Sequence, residues 1–137
     1  MARIRTMKPS FWGSSTIAHL SRDARLLLLG LISNADDDGR FLASAPAILG
    51  TVFPNDDDVT PAKVSRWFGE LVHVGIVHPY RAGAVRYGVL PTWHEHQVIN
   101  RYTPSLLPEP DIECVPRGSR TNSVNGSVRQ PREPLPL

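Results

Sequence analysis

Lys63, Arg66 and His73 recur at spacings that share one side of a helix, with Ser65 beside them and Glu70 among them. Arg can pair with a guanine edge through two hydrogen bonds, and Lys can meet a base or a phosphate. Lys63 and Arg66 fall in the N-terminal half of the segment, the half that a helix lying in the major groove presents to bases. Two further cations, Arg81 and Arg86, flank Ala82-Gly83. At the tip of a hairpin such side chains reach phosphates and raise affinity through counterion release. Arg3, Arg5 and Lys8 alternate with small or apolar residues, in the manner of an extended arm that enters a groove. Each group also has a plainer reading, as solvated helix charge, edge-strand charge, or an arm packed across the domain with its charges outward.

Other residue sets point to no chemistry. His94-Glu95-His96 brings two histidines close, but a zinc site needs three or four converging ligands and no cysteine is near. Asp36-Asp37-Asp38-Gly39 suits a turn at a helix exit, and it lacks the further ligands of a calcium loop. No phosphate-cradling Gly-rich loop or nucleophile elbow occurs. The expectation is therefore a protein that is not an enzyme and has no cofactor, metal or catalytic residue.

The charge is distributed unevenly. From Met1 to Thr103 the chain holds 11 Lys/Arg against 9 Asp/Glu, and six of those acids sit in the runs Asp36–Asp38 and Asp56–Asp58. A field of this kind can steer an anionic partner although the net charge is only +2, and ordinary solvated surface charge is the equal alternative. Asp56–Asp58 and Glu70 oppose that reading, because they would repel phosphate. A single Cys114 excludes an internal disulfide framework. Without an apolar span or a secretory leader, the expected location is a cytoplasm, that of a bacterial host cell.

The elements that must position these residues are legible from caps and periodicity. Ser14 and Ser15 start a short helix through Thr16–Leu20. Ser21 caps a long one on which Ala24, Leu27, Leu28, Leu31, Ile32 and Ala35 recur at helical spacing. Leu26 and Leu29 widen its apolar surface, so the helix is either central in the domain or offers a second face to a partner subunit. Arg40-Phe41-Leu42 reads as a short strand, and Ser44 caps a helix carrying Ile48, Leu49 and Val52. Thr60-Pro61 opens the helix described above, with Val64, Trp67, Phe68 and Leu71 inward and Gly75 as a left-handed end. Ile76–Arg81 and Ala84–Val89 predict a hairpin, followed by a short element from Trp93 to Gln97.

From Pro104 the chain is rich in Pro, Ser, Asn, Gly and Arg and has no apolar period. It is expected to be a disordered tail over 104–137, with Val115–Ser119 resembling a thrombin-type cleavage sequence. The folded domain is expected over 1–103. The order helix, strand, helix, helix, hairpin is the plan of a winged helix-turn-helix domain: α+β, mainly helical, with a two-stranded wing.

Particular residues carry a resemblance. Met1-Ala2-Arg3-Ile4-Arg5-Thr6-Met7-Lys8-Pro9-Ser10-Phe11-Trp12, Leu20–Leu28, and Ala35-Asp36-Asp37-Asp38-Gly39-Arg40 resemble a family of phage and prophage winged-helix proteins. Trp93–Gln97, Ile99–Arg101 and Thr103–Ser105 are similar to that family's segment after the wing. The resemblance covers about residues 1–108 and implies DNA binding, in replication initiation or transcription control. Family members often carry an added C-terminal region. The expected partner is double-stranded DNA, contacted by Lys63, Ser65, Arg66, His73, Arg81, Arg86, Arg3 and Arg5. The alternative is a protein-interaction module that binds a second copy of itself, or a replication or host protein, through the surface around Leu26 and Leu29.

Overall fold

Three side-chain oxygens open the three longer helices. Ser21 Oγ accepts from Ala24 N at 3.2 Å, Ser44 Oγ from Ala47 N at 3.3 Å, and Thr60 Oγ1 from Lys63 N at 3.2 Å. Each bond satisfies an amide that the first turn leaves unpaired, worth about 1 kcal/mol. The structure, a computed structural model, describes residues 3–110. In chain order it holds a 3₁₀ turn at Pro9–Phe11, α1 (Ser15–Ala18), α2 (Arg22–Asn34), β1 (Arg40–Leu42), α3 (Ala45–Val52), α4 (Pro61–His73), β2 (His78–Ala82), β3 (Val85–Val89) and α5 (Trp93–His96). The fold is α+β, five α-helices with one three-stranded antiparallel sheet among the described residues.

The periodic apolar residues meet where their spacing sends them. Ala24, Leu27, Leu28 and Leu31 of α2 and Val64, Trp67, Phe68 and Leu71 of α4 are buried in one core, joined by Ile48 of α3. Burying each large side chain stabilises by about 1.5–3 kcal/mol. Phe53 and Trp67 pack with ring centres 5.5 Å apart, and Phe41 meets Phe68 edge-on at 6.3 Å. Leu26 stands outside this core, half exposed on the outer side of α2.

The strand order is β1-β3-β2, so the hairpin, expected as a two-stranded wing, carries β1 as a third strand on its β3 edge. The hairpin turn falls at Gly83-Ala84, one residue later than the sequence suggests, with Ala82 opposite Val85 and Gly83 at φ 65°. Alternation along the strands sorts the side chains. Phe41, Arg81, Arg86 and Gly88 share the face toward α4, and Arg40, Leu42, Tyr80 and Tyr87 share the opposite one. Gly88 leaves room for Phe41: a Cβ there would lie 2.5 Å from Phe41 Cζ.

The ordered chain runs past the expected boundary at Thr103. Residues 104–110 are held to the domain by hydrogen bonds with Asp36, Asp38, Arg40 and Tyr80. Composition misplaced the boundary because these partners are far away in sequence. The rest of the expected tail, including Val115–Ser119, lies outside the described residues. Among the described residues, no helix is long and apolar enough to cross a membrane.

Candidate nucleic-acid interface

Helix α4 buries one face and exposes the other. Ser65, Arg66 and His73 line its outer side, and Lys63 and Glu70 are half-buried at its margin. Lys63 Nζ donates to the Asp58 carbonyl at 2.9 Å, which folds the side chain back over the helix N-terminus. Glu70 has a structural task. Its carboxylate accepts from Ser21 N and from Ser21 Oγ, both at 2.8 Å, and so fastens α4 to the start of α2. The exposed carboxylates of Asp56, Asp57 and Asp58 remain, immediately before α4. Toward its C-terminal end, Gly69 and His73 line an open groove of about 600 Å³ with Ser15, Thr16 and His19.

Beside α4 stands a pair of like charges. Arg81 and Arg86 are directly opposed across β2 and β3, both exposed, on the sheet face that looks toward α4. The Arg86 guanidinium lies 5.1 Å from the centre of the Phe68 ring, which anchors the hairpin to the helix by a cation–π contact of about 0.5–1 kcal/mol. Like charges directly opposite destabilise a strand pair. Among the described residues no carboxylate lies within ion-pairing distance of Arg66, Arg81 or Arg86. Arg81 and Arg86 therefore form an unneutralised pair beside α4, and Arg66 is a further unneutralised cation on the outer side of that helix.

The N-terminal arm is a correction. Arg5, expected to reach a groove, is instead buried within the domain. Its Nη2 lies 3.0 Å from Asp37 Oδ1 and donates to the Ala35 carbonyl at 2.8 Å, while its guanidinium covers the Trp93 ring at 4.9 Å. Arg3 is likewise engaged: it pairs with Asp37 Oδ2 at 3.2 Å and donates to the Asn100 and Arg101 carbonyls and to Thr103 Oγ1. Gln97, which sequence reasoning passed over, pins the same arm by bonding both the amide and the carbonyl of Thr6. Lys8 donates to the Glu95 carbonyl at 3.3 Å.

The acidic turn explains this arrangement. Asp36 Oδ1 accepts from Asp38 N and Arg40 N, both at 3.0 Å, and Gly39 takes φ 77°, so the chain reverses into β1. Asp37 is thereby turned inward, with its carbonyl accepting from Trp93 Nε1 at 3.0 Å. Burial alone would raise its carboxyl pKa, but the Thr103 amide, Arg5 and Arg3 outweigh that and hold it below the ordinary value. Asp38 accepts from Tyr102 Oη at 2.8 Å and lies 3.7 Å from His94 Nε2. A run that reads as surface charge is a clasp for both ends of the domain.

His94 and His96 are exposed on α5, and no group of three or more His, Cys, Asp or Glu among the described residues converges as a metal site. Comparison of the chain with protein-family models, with curated proteins and with solved structures returns no match.

Proposed function

We propose that this is a winged helix-turn-helix protein of the phage type that docks on duplex DNA without catalysis, in replication or transcription control in a bacterial host. The observation that carries the reading is the opposed Arg81–Arg86 pair, unneutralised among the described residues and turned toward α4, whose outer side exposes Arg66. A phosphate chain supplies the counter-charge that the domain withholds there. The order α2, β1, α3, α4, β2, β3 corresponds to the helix, strand, helix, helix, hairpin plan, with α4 in the place of the recognition helix and the hairpin as the wing. Arg66 and Ser65 then face base edges, His73 and Lys63 flank them, and Arg81 and Arg86 follow the backbone. Arg3 and Arg5 support this site from within by ordering the Asp36–Asp38 turn.

The test is fluorescence anisotropy of a labelled random-sequence duplex at low and at physiological salt. Binding that weakens steeply with salt is expected. No binding at low salt would overturn the proposal.

A further inference from the structure

The sheet has a second face, turned away from α4 and carrying Arg40, Leu42, Tyr80, Val85 and Tyr87. Tyr80 and Tyr87 are opposed across the strands, and their rings stack with centres 5.6 Å apart and 26° between planes. The chain's own segment 106–110, Leu-Leu-Pro-Glu-Pro, is fastened to this platform. Arg40 Nη1 donates to the Leu107 carbonyl at 3.1 Å, and Tyr80 Oη donates to the Pro108 carbonyl at 2.8 Å.

The chemistry of that contact is specific. Leu107 and Glu109 each precede a proline, which disfavours helix and leaves the segment extended. Proline contributes no N–H, so an extended proline-containing segment presents carbonyls that have no internal partner. A stacked aromatic platform whose flanking donors capture two successive carbonyls is the means by which aromatic-lined grooves take such peptides. Burial pushes the Tyr80 hydroxyl up to about 12, so it remains a donor throughout the neutral range.

Two features mark the segment as a resident that can leave. It covers the face incompletely: Leu42 and Val85, on the same side, are 45% and 41% exposed. Upstream of the platform, its attachment rests on one residue, Ser105. Ser105 N donates to Asp38 Oδ2 at 2.9 Å, and Ser105 Oγ donates to the Asp36 carboxylate while accepting from Leu107 N. Just upstream, Arg101 sits at φ 59°, a left-handed conformation that is strained for a non-glycine residue.

We infer that this face is a docking site for an extended, proline-containing peptide of a partner protein, with Leu106–Pro110 as an intramolecular stand-in that the partner displaces. The partner segment carries an apolar residue before a proline and a second proline two positions on. It can extend over Leu42 and Val85, which the resident segment leaves uncovered. Because Arg81 and Arg86 point to the other side of the sheet, peptide and duplex occupy separate faces. Peptide binding is therefore expected whether or not α4 binds DNA.

A fluorescein-labelled peptide of sequence 103–110 tests it against the full chain by anisotropy. The tethered resident competes at an effective concentration of about millimolar, so wild type binds the peptide weakly. Ser105→Glu sets a carboxylate against Asp36 and Asp38, releases the resident and strengthens peptide binding at least about tenfold. Adding Tyr80→Phe and Arg40→Met to that variant removes the gain, and a peptide with Pro108 and Pro110 changed to alanine does not bind. A folded Ser105→Glu variant, by circular dichroism, that binds no tighter than wild type overturns the inference. So does binding indifferent to Tyr80 and Arg40. A concentration-dependent dimer with no peptide binding overturns it in favour of exchange between copies. Should Ser105→Glu fail to fold, amide exchange in wild type decides. Excess peptide must accelerate exchange at Ser105 and Leu107 N–H, and unchanged rates refute displacement.

Discussion

Arg5 Nη2 and Asp37 Oδ1 lie 3.0 Å apart, with side chains 5% and 3% exposed, and this pair joins the N-terminal arm to the turn that follows α2. Removing one member of a buried pair strands the other charge, at a cost of about 3–5 kcal/mol. Asp37→Asn is therefore expected to lower stability by that order, read as a fall in urea midpoint. The carboxyl titrates below its ordinary value in the folded state, so its contribution is present above the unfolded pKa of about 3.9 and disappears as pH falls through the lower, folded value. Wild type should lose stability below about pH 4 more steeply than Asp37→Asn. Parallel acid profiles would refute this role for Asp37.

On α4, Lys63→Ala with Arg66→Ala should abolish duplex binding and leave the melting temperature nearly unchanged, because Arg66 is exposed and Lys63 is held by a single bond to a loop carbonyl. Arg81→Ala should lower the slope of log affinity against log salt by about 0.9 for each phosphate that the guanidinium neutralises in wild type. A slope equal to wild type would remove the hairpin from the interface.

Leu26 separates docking on DNA from assembly through α2. It is half exposed on the outer side of that helix, away from the core. Leu26→Glu should leave fold and DNA binding intact and the sedimentation coefficient unchanged. A drop in sedimentation coefficient would instead show that α2 pairs copies of the chain.

Gly88→Ala tests how the hairpin is held to the core. The added methyl would meet Phe41 at 2.5 Å from Cζ and force it away from Phe68, the ring that Arg86 covers. Overpacking of this kind costs about 1–3 kcal/mol. Weaker DNA binding should accompany the destabilisation, since Arg86 is positioned through the same ring. Unchanged stability would mean that Phe41 has room to shift.

Local sequence specifies the helices and much of their facing. Ser21, Ser44 and Thr60 cap where their types require, and the apolar positions of α2 and α4 are buried in the order that their spacing dictates. Gly39 and Gly75 hold positive φ where a helix or turn must reverse. These features depend on residues within about four positions of one another, so a reading of neighbours finds them directly. The roles of the charges follow from packing instead. Arg5 and Asp37, Gln97 and Thr6, and Tyr80 and Pro108 meet because the fold brings distant segments together. An arginine destined for burial looks the same in sequence as one left in solvent. Its place is set by whether folding carries a carboxylate to it, as for Arg5, or leaves it beside another arginine, as for Arg81 and Arg86.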